Sequence, residues 1–187
     1  MYILKSTTKN ELRKVQAAIK KELASEKIIQ DIYEYIFNVE GKKTRALISL
    51  LASKSSKIRL GVRTDLASII ELLHTATLVH DDVVDESELR RGTKSVNQVW
   101  TNSYSVLIGD FIYSKAFILM VKLGIPSILD ELAKATNDIA RGEIIQLELY
   151  EKKELIKLDE LLKVSYLKTG RLFEASAKTG AMLAEKS

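Results

Sequence analysis

The chain has 187 residues, enough for a single domain with a sizeable core. Apolar residues make up 46% and charged residues 29%, and the net charge of +4 is spread along the chain, with no basic tail or aromatic-interleaved basic patch that would point to nucleic acid. There is no cysteine, which excludes disulfides, thiolate metal sites and a cysteine nucleophile and fits a reducing, cytoplasmic setting; no apolar stretch is long enough for a transmembrane segment, and the N-terminus lacks the apolar run of a signal peptide.

The one proline is Pro126, the eight glycines fall mostly where helices can end, and Ala, Leu, Ile, Lys and Glu dominate, so the chain reads as all-α. Seven helices are predicted, at about 8–24, 26–39, 42–54, 63–87, 95–123, 127–151 and 158–185. Thr8 with Glu11 has the spacing of a capping box for the first. Leu66, Ile69, Ile70, Leu73 and Thr77 recur at helical spacing in the fourth, which ends in an acidic motif. No Asn-Gly or Asp-Gly hairpin signal and no alternating strand pattern is found. There is no internal repeat.

That motif, HDDVVDESELRRG at residues 80–92, is the most informative part of the chain. Asp81, Asp82 and Asp85 gather three carboxylates at a helix C-terminus, where they repel one another and oppose the macrodipole. A shared cation removes that penalty, and hard oxygen ligands without thiols select Mg2+, which keeps waters and bridges carboxylates to phosphates. Arg90 and Arg91 follow at once, so acids and arginines together suggest a metal-bound polyphosphate. The other readings of the acidic cluster alone are a solvated helix end or a surface calcium site. His74 returns to nearly the same helical face as Asp81, two turns earlier. Lys42 and Arg45, at i and i+3 of a helix start, suit an anion, though such a pair alone is equally a solvated surface. Lys168-Thr169-Gly170 offers a cation and a hydroxyl, and the near-repeat Lys178-Thr179-Gly180 shows how easily the tripeptide arises. No nucleophile elbow, P-loop or dinucleotide fingerprint is present.

The run LLHTATLVHDDVVDESELRRG, preceded by GKKTR and followed by SVLIGDFIYSKAF, GEIIQLE and YLKTGRLFEA, resembles the trans-polyprenyl diphosphate synthases, the long-chain bacterial octaprenyl diphosphate synthases above all. The resemblance runs from about residue 40 to the C-terminus. It implies an all-α isoprenoid-synthase-type bundle around a central cavity, and a Mg2+-dependent head-to-tail condensation of an allylic diphosphate, such as farnesyl diphosphate, with isopentenyl diphosphate. By resemblance, Asp81 and Asp85 hold the metal with Asp82 in support. Arg90, Lys168 and Thr169 contact the allylic diphosphate. Lys42, Arg45, His74 and Arg91 bind isopentenyl diphosphate, and Gln146 lines the cavity. Ala76 and Thr77, both small, stand where an aromatic floor shortens the product in short-chain relatives. They imply a long product, of about 40 carbons, in an apolar tunnel. A homodimer is also implied.

Two departures are visible. Lys43 and Ala46 replace residues usual in the family's GGKRLRP motif, and no second Asp-rich motif follows Lys168. The 187 residues therefore read as one domain, the N-terminal portion of a truncated synthase. The rival reading is a catalytically inactive diphosphate-binding subunit or fragment. A terpene cyclase would share the Asp-rich motif, but the paired arginines and GKKTR suit a second diphosphate.

Overall fold

The computed structural model describes residues 2–38, 41–54, 58–152 and 155–185, the first seven of them by backbone alone. Among the described residues the chain is helical apart from one two-stranded ribbon: α1 Tyr2–Glu22, α2 Lys27–Asn38, α3 Thr44–Ala52, α4 Leu60–Val84, β1 Leu89–Arg90, β2 Thr93–Lys94, α5 Val96–Val99, α6 Asn102–Leu123, α7 Pro126–Lys152, α8 Leu158–Ser165 and α9 Arg171–Glu185. A π-helical turn at Tyr166–Gly170 joins α8 to α9. The all-α expectation is met, and no helix among the described residues is long and apolar enough to cross a membrane.

The bundle is organised around α4. Leu66, Ile69, Ile70, Leu72, Leu73 and Ala76 are all buried, so this helix is covered on nearly every side. Helices apolar around most of their circumference lie at the centre of a fold. Its main neighbour is α6, and α1, α3 and α9 pack around it. A buried arginine ties three of these helices together. Arg63 pairs with Glu11 of α1 at 3.1 Å and donates to the Leu50 carbonyl of α3 at 2.6 Å.

Several sequence expectations are corrected. Thr8 is no N-cap, because α1 already begins at Tyr2, and Glu11 turns inward to Arg63 instead of closing a capping box. The predicted helix at 95–123 is broken at Trp100-Thr101; Thr101 caps α6 by accepting from the Tyr104 amide at 3.3 Å. The predicted helix at 158–185 is interrupted by the π turn. The fourth helix ends at Val84, and the RRG segment forms a hairpin with Arg90 opposite Thr93. Its two central residues, Arg91 and Gly92, have φ of 52° and 82°. This is the conformation that the strand twist demands of a two-residue loop, usually supplied by Asn-Gly or Asp-Gly. With Arg in the first place the usual signal is missing.

Candidate functional site

The last turns of α4 and the hairpin form one side of a cavity of about 510 Å³. The other side comes from the end of α2 and the segment that enters α3, with Lys42, Lys43 and Arg45. From α4 the stripe His74, Leu78 and Asp82 lines it, and from the hairpin Arg90 and Arg91. The sequence candidates Lys42, Arg45, His74, Arg90 and Arg91 are thereby brought together from positions almost fifty residues apart. Lys42 precedes α3 rather than lying on it, since that helix begins at Thr44. Lys43, passed over as a departure from the family pattern, also lines the cavity, in a left-handed backbone conformation with φ of 46°.

The arginine positions are built by specific contacts. Arg90 Nε donates to both carboxylate oxygens of Asp82, at 2.9 and 3.0 Å. Arg91 lies against Gly41, where an added Cβ would come within 2.2 Å of a guanidinium nitrogen. Arg45 stacks over the Phe173 ring of α9 at 4.2 Å and meets His74 Nε2 at 3.0 Å. A guanidinium can only donate, so His74 Nε2 accepts and the imidazole is neutral with its proton on Nδ1. Burial and the charges of Arg45, Arg91 and Arg90 hold the His74 pKa down at about 3. Glu71, missed in the sequence, is the acid among these cations. It accepts from the Ala46 amide at 3.3 Å, and burial raises its pKa even though Lys43, Arg45 and Arg91 oppose the rise. Inside an otherwise apolar helix run, it carried no motif signal.

The carboxylates divide. Asp82, almost fully buried, is committed to Arg90 and is a brace rather than an open ligand. Asp81 and Asp85 are not in the cavity lining. Asp81, seven residues after His74 and nearly on its helical face, thus stands outside the lining to which His74 belongs. Asp81 lies within electrostatic reach of Glu143 in α7 and Lys168 in the π turn. Burial, then Glu143, pushes its pKa up to about 7, with Asp85 adding to the rise and Lys168 and Arg90 resisting it. Lys168 Nζ meets Glu143 at 2.7 Å. Among the described residues no three acidic or imidazole groups converge as a ready-made cation cage. Asp81 and Asp85, four residues apart, could supply the one or two carboxylates that magnesium takes when phosphate oxygens and water complete its shell.

Thr169 is exposed beside Lys168 on the π turn, and Gln146 is half-buried on α7, one turn beyond Glu143. Ala76 is fully buried in the apolar core and does not line the cavity, whereas Thr77 bonds to the His74 carbonyl at 2.9 Å. The two KTG tripeptides part company: Thr179 and Gly180 are buried, with Gly180 packed against Ser49 and Ala52 of α3.

A family model described as polyprenyl synthetase matches residues 26–187. Octaprenyl diphosphate synthase from Escherichia coli is 40% identical over 178 residues, which are 95% of this chain and 55% of that protein. The chain thus spans about half the length of the curated relatives it matches. A decaprenyl diphosphate synthase from Rhodobacter capsulatus superposes with a TM-score of 0.91 at 33% identity, over 97% of this chain and 56% of that one. A polyprenyl synthase from Caulobacter crescentus, solved with calcium and isoprenyl diphosphate, gives 0.89 at 33% identity with the same coverage. The chain belongs to the polyprenyl synthetase family.

Proposed function

We propose that this chain carries the first part of a prenyltransferase site that extends an allylic diphosphate with isopentenyl diphosphate into a long all-trans polyprenyl diphosphate. The observation that carries the reading is that two kinds of place occur at the end of α4, one that takes an anion directly and one that would take it through a divalent cation. One is the cavity with Lys42, Lys43, Arg45 and Arg91. The other is the acidic edge of Asp81 and Asp85 facing Lys168. A reaction that brings together two diphosphates needs two such places.

Isopentenyl diphosphate is assigned to the cavity, with Lys42, Arg45 and Arg91 as cations and His74 as a neutral partner that orients Arg45. The allylic diphosphate is assigned to the other side, with Lys168 and Thr169 on the π turn and Arg90, held by Asp82, at the boundary. Magnesium held by Asp81 and Asp85 would neutralise charge on the departing diphosphate. The allylic carbon–oxygen bond breaks and diphosphate leaves with the electron pair. The double bond of isopentenyl diphosphate attacks the resulting cation to form the new carbon–carbon bond. The proton lost from the adduct goes to the released diphosphate, so no protein base is required. The fixed cations stabilise the charge that develops on the leaving group, and the apolar surroundings keep water from the cation.

Gln146 and Thr77 are assigned to the path of the growing chain, with a product of about 40 carbons in an apolar tunnel, and Ala76, buried in the core, is left out of it. A single domain and a homodimer complete the proposal. The test is prenyl transfer by this chain with magnesium, farnesyl diphosphate and labelled isopentenyl diphosphate, sizing the product by mass. A long polyprenyl product supports the reading. Binding of both diphosphates without incorporation supports the rival, a diphosphate-binding subunit or fragment, and binding of neither overturns both.

A further inference from the structure

Glu143 was not a candidate in the sequence, yet three features converge on it. Its carboxylate meets Lys168 Nζ at 2.7 Å, and both side chains are shielded, at 17% and 18% exposure. The π turn that presents Lys168 is seated tightly on α7. A Cβ on Gly142 would lie 2.8 Å from Leu167 Cβ and 3.0 Å from the Lys168 amide nitrogen, so the absent side chain is what lets the turn approach. Just past the turn, Arg171 is buried and anchored to α7 through Glu131 at 2.8 Å and Asp138 at 2.9 Å. The segment is thus fixed to α7 before and after Lys168. The freedom that remains is that of the lysine side chain, and Glu143 takes it up. Both groups lie within electrostatic reach of Asp81.

We propose that Glu143 is a positioning residue that holds the Lys168 ammonium beside the acidic edge and competes with an incoming diphosphate for it. Resting on the functional reading above, this makes capture of the allylic diphosphate at Lys168 depend on a divalent cation. Without the cation a diphosphate meets three carboxylates, Asp81, Asp85 and Glu143, and one lysine already paired. A cation held by Asp81 and Asp85 would remove the repulsion, and Lys168 would exchange one anionic partner for another. Glu143→Gln keeps the size of the side chain and removes the charge, so it frees the lysine and lowers the repulsion together.

Farnesyl diphosphate binding is measured by calorimetry on the whole chain and on Glu143→Gln, each with and without magnesium, after matched thermal melts establish that both are folded. Lys168 labelling by reductive methylation is read in parallel by mass spectrometry. Lys168 in the variant is expected to label several-fold faster. Its magnesium-free affinity for farnesyl diphosphate is expected to rise about fivefold, the order of a shielded ion pair, and the gain to shrink once magnesium is present. Unchanged labelling, or a magnesium-free affinity equal to or weaker than that of the parent chain, overturns the proposal. Glu143→Asp is expected to restore slow labelling in part. Faster labelling in Glu143→Gln with no farnesyl diphosphate binding by either protein, magnesium included, would instead overturn the functional reading and the competition with it, leaving only the ion pair.

Discussion

Arg90 and Asp82, eight residues apart, are joined through two guanidinium nitrogens, Nε lying 2.9 and 3.0 Å from the two carboxylate oxygens and Nη2 also donating to Oδ1. The pair closes the end of α4 onto the hairpin and so orients Arg91, the next residue, toward Gly41. Asp82 is buried but Arg90 is about one-third exposed, so solvent screens part of the interaction. Asp82→Ala is expected to cost about 1–3 kcal/mol, below the range for fully buried pairs. Urea unfolding measures this. Arg90→Lys should recover little of it, because an ammonium cannot reproduce the fork. Equal stability of Asp82→Ala and the parent would show that the hairpin is held by other contacts.

His74 sets a pH window. Its folded pKa of about 3 lies below the ordinary 6.5 because it is buried beside Arg45, Arg91 and Arg90. Between those values the unfolded chain binds a proton that the folded chain does not, so this group's contribution to stability falls as pH drops from 6.5 toward 3 and is flat above 6.5. His74→Gln should therefore lose less stability than the parent between pH 7 and 4. Proton NMR should find the parent's His74 ring neutral at pH 5. A mid-range titration of that ring near 6.5 would contradict the Arg45 contact.

Two glycine substitutions should have opposite signs. Gly142→Ala places a methyl against Leu167 and the Lys168 backbone and is expected to cost about 1–3 kcal/mol, the usual range for overpacking. Gly61, in the first turn of α4, has nothing within 4 Å of an added Cβ, so Gly61→Ala is expected to gain up to about 1 kcal/mol from helix propensity and a less flexible unfolded chain. Thermal melts of the two variants decide the matter, and a neutral Gly142→Ala would mean that the π turn can step back from α7 freely.

One face of α6 carries Leu107, Ile118 and Val121 at 65%, 47% and 68% exposure. Apolar residues repeated along one helix face in this way mark an association surface. The chain is expected to self-associate at micromolar concentration. Leu107→Glu with Val121→Glu is expected to shift sedimentation velocity toward the monomer. A parent chain that sediments as a monomer across the concentration range would contradict this.

Much of the fold was legible in local chemistry. Few breakers and a 3.6-residue apolar period suffice to place α4 and α7 to within a few residues, because helical hydrogen bonds are local and the buried face repeats along the chain. The acidic motif was legible too, since three carboxylates at a helix C-terminus have no stabilising role without a counter-charge. What pairs with what was not legible. That Asp82 braces Arg90, that Glu143 holds Lys168 and that Glu71 sits among Lys43, Arg45 and Arg91 depends on which helix faces meet. The hairpin at Arg91-Gly92 and the π turn before Arg171 were hidden for the same reason. Each goes against its local preference and forms where packing against α2 or α7 outweighs it: the Tyr35 hydroxyl donates to the Lys94 carbonyl at 2.6 Å, and Gly142 admits the π turn. Composition, periodicity and motif order thus determined the all-α class and singled out the acids and bases gathered around the end of α4. Which of them line the cavity and which stand outside it was decided by the tertiary structure alone, because a side chain's partner is set by contacts between segments far apart in the chain.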